Sequence, residues 1–318
     1  MSATTQDEGV LDLVIESMTV EAEGVLGLTL VDPGGGWLPE WTPGSHIDLG
    51  MLDVVRQYSL CGDPDDRLRY RVAVLREPKS RGGSDYVHRS MRPGEPVEVG
   101  GPRNHFPLNP AKEYVFVAGG IGITPILPMI RQAGQHGTPW RLVYGGRSRR
   151  SMAFLRSLRQ YGDQVQVCPE EETGRLDLDA LLPAYDDGLA VYCCGPGGLI
   201  DAVESRCAAW PSDAVNFERF VAKDISALPS LPVRVRCARS QLTLDVPAGE
   251  SILLALELAG VDVANACRDG VCGSCEVPVL GGVPDHRDSI RSGAELTDTT
   301  SMAVCVSRAK SDELVLDI

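Results

Sequence analysis

The chain has 318 residues, 43% of them apolar, and a formal net charge of −14. That length predicts two or three domains with packed cores, and no apolar run reaches membrane-spanning length. The acidity argues against nucleic acid or an anionic membrane as partner; it suits a basic docking partner, or simply keeps a soluble protein in solution.

The opening MSATTQDEGV has neither a basic stretch nor an apolar core, so no signal peptide and a cytoplasmic location are expected. Residues 1–108 carry short β-patterns separated by Gly and Pro, among them HIDLG, RQYSL, RYRVAVLRE and VEVGG. Tyr70, Val72 and Val74 alternate as in a half-buried strand. Many strands at short spacing predict a closed antiparallel barrel. Along RQYSL, Arg56 and Tyr58 share one strand face and Ser59 takes the other. Taken alone, such alternation is ordinary for a strand with snorkelling side chains. Arg81-Gly82-Gly83-Ser84 precedes the helical pattern DYVHRSM, with Lys79 just upstream. Glycines followed by a serine cap suit a phosphate at a helix N-terminus, or make an ordinary turn.

Residues 109–222 alternate strands and helices. EYVFVAGG runs into GGIGITPILPMI, and WRLVYGGR, QVQVC and LAVYCCGPGG each end in turn chemistry. A parallel sheet with helices on both faces is predicted. In Gly119-Gly120-Ile121-Gly122-Ile123-Thr124-Pro125, Gly120 and Gly122 allow a pyrophosphate to approach backbone N–H groups. Thr124 is placed to cap the helix, and Pro125 sits where a missing N–H costs nothing. The third glycine of the dinucleotide fingerprint is absent. Cys194-Gly195-Pro196-Gly197-Gly198 forms a second small-residue turn at a strand's C-terminal edge, where open α/β sheets bind ligands. Arg147, Arg149 and Arg150 follow the Tyr144-Gly145-Gly146 turn and either bind a 2′-phosphate or are solvated charge. No acidic residue follows immediately to take a ribose hydroxyl, so NADH and NADPH both stay open.

KDISALPSLP reads as a linker, placed at 223–231, ahead of a C-terminal domain at 232–318. Val233, Val235 and Cys237 alternate, as do Leu242, Leu244 and Val246 across a short polar turn, which is a hairpin pattern. SILLALELAG reads as a buried helix ending at Gly260. The run ACRDGVCGSCE then spaces Cys267, Cys272 and Cys275 as C-x4-C-x2-C, with Cys305 far downstream. This is the ligand spacing of plant-type [2Fe–2S] centres. Gly270 and Gly273 let the loop turn N–H groups toward the cluster sulfurs. Zinc sites pair their cysteines at shorter range, and disulfide scaffolds belong to short secreted chains. MAVCVS and ELVLDI read as late strands, with Cys305 on an element packing back under the loop. The other six of the ten cysteines are expected to be reduced and mostly buried. His46, His88, His105, His136 and His286 show no ligand spacing and receive no role.

With these motifs in place, the chain resembles the ferredoxin–NADP⁺ reductase superfamily. Arg56-Gln57-Tyr58-Ser59-Leu60 matches its R-x-Y-[ST]-L flavin motif, and the GGIGITP and CGP turns match its nicotinamide-nucleotide turns. The order of flavin barrel, nucleotide domain and ferredoxin domain is similar to the phthalate dioxygenase reductase and vanillate O-demethylase reductase-like family. The resemblance implies an antiparallel β-barrel flavin domain, a parallel-sheet α/β nucleotide domain and an α+β, β-grasp ferredoxin-like domain. It implies FMN with its phosphate on Arg56, Gly82, Gly83 and Ser84, Tyr58 and Leu60 along the flavin, and Ser59 near the ring where hydride arrives. It implies NADH or NADPH on Gly120, Gly122, Thr124, Pro125, Arg147, Cys194, Gly195 and Pro196, with Cys194 beside the nicotinamide. In Asn216-Phe217-Glu218-Arg219-Phe220 an aromatic side chain, Phe220 among them, would return toward the flavin, or the segment is a plain hydrophobic terminus. The implied function is electron transfer from NAD(P)H through FMN to a [2Fe–2S] cluster and on to a terminal oxygenase, Rieske-type above all. A cytochrome P450 partner and a stand-alone flavin oxidoreductase are the alternatives. A monomer is expected, without nucleic acid or membrane.

Overall fold

Alternating apolar residues in the first hundred positions build six antiparallel strands: β1 (Leu11–Ala22), β2 (Val25–Val31), β3 (Ser45–Met51), β4 (Val54–Ser59), β5 (Tyr70–Leu75) and β6 (Pro96–Asn104). They are ordered β4-β3-β6-β1-β2-β5 in a computed structural model that describes residues 10–52, 54–78, 82–291 and 296–318. The edges meet where Cys61, just past β4, donates its N–H to the Arg71 carbonyl of β5 at 2.8 Å, which closes the barrel. Leu13, Ile15, Leu28, Leu30, Ile47, Leu49, Val72, Val74, Val97 and Val99 fill its interior. The period of two puts them there, since alternate side chains share one face. A short helix, α1 (Gly83–Arg89), follows β5. The opening residues through Gly9, and Lys79 and Arg81, lie outside the described residues.

The parallel sheet follows as expected. Its strands are β7 (Glu113–Gly119), β8 (Trp140–Gly146), β9 (Val165–Pro169), β10 (Leu189–Cys194) and β11 (Val215–Glu218), in the order β11-β10-β7-β8-β9. Its helices are α2 (Ile123–Gln135), the one-turn α3 (Leu155–Leu158), α4 (Glu170–Thr173) and α5 (Leu178–Leu181), and α6 (Gly197–Arg206). Every residue of β10 is buried, the mark of a strand covered on both faces. Phe116, Ala118, Tyr192 and Cys194 face Ile126, Met129 and Ile130 of α2. Val115, Val117, Val191 and Cys193 face Ile200 and Val203 of α6. Adjacent Cys193 and Cys194 therefore belong to opposite sides of the sheet, and Cys193 is core.

The barrel's outer surface joins the first of these cores. Val25, Cys61, Ala73 and Phe106 pack in one cluster with Tyr114, Phe116 and Tyr192. For β5 this turns the expected half-buried strand into one buried on both faces over Val72–Val74. Barrel and parallel sheet accordingly form one unit ending at Phe217, and a second unit begins at Glu218.

The second unit contains β12 (Val233–Cys237), β13 (Leu242–Val246), α7 (Ile252–Leu258), β14 (Glu276–Gly281), β15 (Pro284–Asp285), β16 (Ser301–Ala303), β17 (Arg308–Ala309) and β18 (Glu313–Leu316). The expected hairpin forms with Val233 opposite Val246 and Cys237 opposite Leu242. Five strands make a mixed sheet, β13-β12-β18-β14-β16, in which β12 and β18 run parallel. With α7 packed on it through Ile252, Leu253 and Leu256, this is a β-grasp arrangement. Ser251 caps α7 by accepting the Leu254 N–H at 3.1 Å, and Gly260 (φ +76°) ends it. One placement differs from expectation. Cys305 lies in the turn after β16, because the chain bends at once, with Ser307 N–H bonded to the Ala303 carbonyl at 3.1 Å. Among the described residues no helix is long and apolar enough to cross a membrane.

Candidate functional site

Three constellations stand out, two in the first unit and one in the second. In the barrel, β4 pairs Arg56 with Leu49, Tyr58 with Ile47 and Ser59 with His46. Ser59 and Leu60 are buried. Gly83 is pressed against Arg56: a Cβ there would lie 2.9 Å from Arg56 Cγ and 3.2 Å from Met51 Cε. The structure thus brings the Gly82-Gly83 turn beside the arginine, as the motifs imply. Gly82 serves a different need. Its φ of +105° is one that side chains resist, while the space around it is open. The guanidinium beside a glycine turn fits a phosphate monoester, for which arginine's planar fork is suited. Ser84 does not act as the expected cap. Its hydroxyl accepts the Glu77 N–H at 3.1 Å, and Gly82 occupies the N-cap without a side-chain bond. Burial pushes the Tyr58 hydroxyl up to about 12, against the pull of the Arg56 charge, so it stays a neutral donor.

The second constellation is the crevice at the C-terminal ends of β7 and β10. Strand order reverses there, the place where open α/β sheets take their ligands. The two glycine turns interlock. A Cβ on Gly119 would lie 2.7 Å from Leu199 Cδ2 and 2.8 Å from Pro196 Cδ. A Cβ on Gly122 would collide with the Cys194 carbonyl, and one on Gly195 would lie 3.0 Å from Gly119 Cα. Gly120 is glycine for its backbone (φ +55°), and the position its Cβ would take is open. Such a lining fits close approach of a pyrophosphate to the main chain. Cys194 ends β10 opposite Ala118, fully buried. Thr124 is not the cap either. A 3₁₀ turn over Gly120–Gly122 runs straight into α2, so Thr124 is the second helical residue and its hydroxyl donates to the Ile121 carbonyl at 3.0 Å. Pro125 does fall in the first turn, where no N–H is missed. Tyr144, whose side chain the sequence gives no role, donates its hydroxyl to the Gly120 carbonyl at 3.1 Å and steadies the turn.

The arginines after β8 separate in role. Arg147 is exposed, and its carbonyl accepts the Glu171 N–H at 3.1 Å. Arg149 is held by Glu172 in a bidentate pair at 2.8 and 2.9 Å. Phe217 packs half-buried against the α6 face of the sheet, whereas Phe220 belongs to the second unit and is exposed.

In the second unit, Cys272, Cys275 and Cys305 are buried and Cys267 half-buried. The sulfurs pair two and two. A hydrogen bond from Cys267, with Ser274 Oγ at 3.0 Å assisting, draws the Cys272 thiol below its ordinary range. Cys267 rises correspondingly through that bond and through burial. Cys305 likewise lowers Cys275 and is itself raised by it. Two thiol pairs are the donor set of a binuclear iron centre, each iron taking two. Among the described residues no three His, Cys, Asp or Glu side chains converge to hold a single ion. The backbone fits an anionic cluster too. Asp269 N–H lies 3.4 Å from Cys267 Sγ, and the Gly270 N–H is directed at Cys305. Arg268, Gly270 and Gly273 all adopt positive φ (+58°, +72° and +73°), which wraps the loop tightly. Arg268 is held in place by Glu257 at 2.5 Å and Asn265 at 3.0 Å.

Behind this loop is a buried polar strut that sequence reasoning missed. Asp288 accepts the Arg291 N–H and the Arg291 guanidinium, both at 3.0 Å, and contacts Ser307 Oγ at 3.4 Å. Arg291 also pairs with Glu276 and reaches Ser301 Oγ at 2.9 Å. Ser289 N–H bonds the Gly270 carbonyl of the cysteine loop at 2.8 Å. In sequence the run Asp285-His286-Arg287-Asp288 looks like solvated surface charge. Only the tertiary fold, through Val306 and Asp288 packing on Gly270, places it inside.

These features define a class: a reductase with a nucleotide crevice, a flavin-type barrel and a binuclear iron–sulfur loop. Residues 116–205 match the model of an oxidoreductase NAD-binding domain, and residues 235–310 that of a 2Fe-2S iron-sulfur cluster binding domain. The chain is 42% identical to the phenoxybenzoate dioxygenase subunit beta of Ectopseudomonas oleovorans, over 97% of each chain. It is 39% identical to the phthalate dioxygenase reductase of Burkholderia cepacia, over 99% of each. A crystal structure of an intact type IV self-sufficient cytochrome P450 monooxygenase superposes with a TM-score of 0.92 at 41% identity. That match covers all of this chain but 43% of the longer polypeptide. The chain belongs to the phthalate dioxygenase reductase family.

Proposed function

We propose that this chain is the reductase component of a multicomponent oxygenase, taking electrons from a reduced nicotinamide nucleotide and delivering them to a separate terminal oxygenase. The observation that carries the reading is the tightly wrapped loop that buries Cys272 and Cys275 with Cys305 beside half-buried Cys267, in a chain that also bears the Arg56–Gly83 cradle and the interlocked glycine turns. A bound flavin supplies acceptance of a hydride and release of its two electrons singly, and a [2Fe–2S] centre carries them one at a time.

The protein's part is positioning. Arg56, with Gly82, Gly83 and Ser84, holds the phosphate of FMN, and Tyr58 and Leu60 pack along it. Ser59 offers a hydroxyl at the ring, and Cys194 closes the crevice beside the nicotinamide. Gly120, Gly122, Thr124, Pro125, Gly195 and Pro196 line the pyrophosphate path, with Arg147 at its outer end. The working division is a flavin barrel at 1–108, a nucleotide domain at 109–222, a linker at 223–231 and an iron–sulfur domain at 232–318. A cytoplasmic monomer suits a carrier that must meet both a diffusible nucleotide and a separate protein.

A Rieske-type oxygenase is the partner favoured here, since the relatives named for dioxygenase systems match over nearly their whole length. The cytochrome P450 reading is kept because a P450 polypeptide contains a region 41% identical to this chain. Replacing Cys272 with Ser tests the route. Ferricyanide reduction by NADH should persist and cytochrome c reduction should fall to background; undiminished cytochrome c reduction would exclude the cluster as the exit.

A further inference from the structure

A dinucleotide motif reads its ribose about twenty residues beyond the glycine turn. Here that place is the turn that leaves β8 after Gly146, and it is held from two sides. From the sheet's own side, Arg149 pairs with Glu172, Ser148 and Ser151 close a capping box, and Met152 fills the space a Cβ on Gly146 would take. The barrel supplies the other side. Glu23, between β1 and β2, donates its N–H to the Arg150 carbonyl at 2.8 Å. The Arg71 guanidinium of β5 stands 5.7 Å from the centre of the Phe154 ring, within reach of a cation–π contact. Glu21 orients that guanidinium through an ion pair at 2.5 Å, and its side chain is only 11% exposed. Gly27 leaves Glu21 its room, since a Cβ there would lie 2.8 Å from Glu21 Oε1. Phe154 is buried and left-handed (φ +61°), a conformation that bulky side chains resist and that persists where the surroundings impose it.

We infer that Arg71 is a positioning residue for nucleotide binding: oriented by Glu21 and acting through Phe154, it lets the barrel set the ribose-reading loop. The inference rests on the function proposed above. Barrel and sheet belong to one unit, so the contact is internal to it. Its part is to fix the backbone that carries Arg147 and Arg149. The flavin motif lies on β4 and the nicotinamide turn follows β10, so the contact bears on binding and leaves the hydride step alone.

The test uses the full-length, flavin-loaded protein, mixed anaerobically with NADH over a range of concentrations. Arg71→Gln removes the cation, Phe154→Leu removes the ring, and Arg71→Lys keeps a cation over it. The NADH concentration that gives half the maximal rate of flavin bleaching should rise about two- to fivefold in the first two, the worth of a partly exposed cation–π contact. The maximal rate and the flavin content should hold, and Arg71→Lys should stay near the unaltered protein. Amide exchange over 147–154, measured by mass spectrometry without nucleotide, should quicken in the first two variants and not in the third. Glu21→Ala separates positioning from charge. It makes the protein less negative, so a field effect on an anionic nucleotide would lower the half-saturating concentration, whereas loosening Arg71 raises it. A fall in Glu21→Ala would overturn the inference. So would quickened exchange with half-saturation unchanged, or exchange unaltered in both Arg71→Gln and Phe154→Leu. If neither NADH nor NADPH bleaches the flavin of the unaltered protein, it is the proposed function that fails.

Discussion

Glycine performs two distinct jobs in this chain, and single added methyl groups separate them. At Gly83 a Cβ would press on Arg56 Cγ and Met51 Cε. Arg56 is a flexible side chain and would yield, so Gly83→Ala should keep the fold and displace the guanidinium. A drop of about tenfold or more in flavin affinity is expected, read by fluorescence titration of the apoprotein, consistent with loss of a charge-assisted pair. Gly122 has no such escape, because the obstacle is the Cys194 backbone. Gly122→Ala should cost about 1–3 kcal/mol by overpacking and raise KM for the nucleotide, whereas Gly120→Ala meets open space and pays only about 1–2 kcal/mol of backbone strain. Thermal melts of the pair would show Gly122→Ala as the less stable protein with the larger KM. Both motifs were legible as glycine turns. Which glycine answers to a neighbour and which to its own φ was not, because Cys194, the obstacle at Gly122, arrives from about seventy residues away.

Single elements were read well where the pattern is local. The β12–β13 hairpin and α7 with its Ser251 cap follow from alternation, helical spacing and a capping serine within one short window. Thr124 and Ser84 show the limit: each follows glycines and reads as a cap, but the chain enters the helix earlier, and each hydroxyl finds another backbone partner. The Asp288–Arg291 strut was illegible for the opposite reason, since nothing in a charged run announces burial. Its worth is testable. Arg291→Ala would strand the Asp288 carboxylate, which is inaccessible to solvent, and should destabilise the iron–sulfur unit by about 3–5 kcal/mol. A melt followed at the cluster absorbance checks this, and a melt matching the unaltered protein would mean the strut carries no load. The loop after β8 offers a second element-scale test. With Arg149 engaged by Glu172, a 2′-phosphate would have to break an existing ion pair. NADH should therefore exceed NADPH in kcat/KM, and Glu172→Gln should narrow the gap by freeing the arginine.

At the scale of the whole molecule, the sequence supports three folding patterns while the structure divides into two units. The difference lies in the barrel's outer face. Val25, Ala73 and Phe106 read as scattered apolar residues, yet they enter the same core as Phe116 and Tyr192, and so fuse the barrel with the nucleotide sheet. A shared apolar core of this kind is what makes the barrel and the sheet a single compact unit. The fold classes were visible because each depends on period and turn chemistry; the fusion depends on which outer faces meet, and no local pattern records that. The proposed function requires one chain that stores both the electrons of a hydride and the single electron of a cluster. Anaerobic titration of the purified protein with NADH, followed by absorbance and electron paramagnetic resonance, tests this directly. Uptake of about three electrons per chain, two at a flavin and one at a binuclear iron centre, is predicted. Uptake limited to about two, with no paramagnetic iron signal, would contradict it.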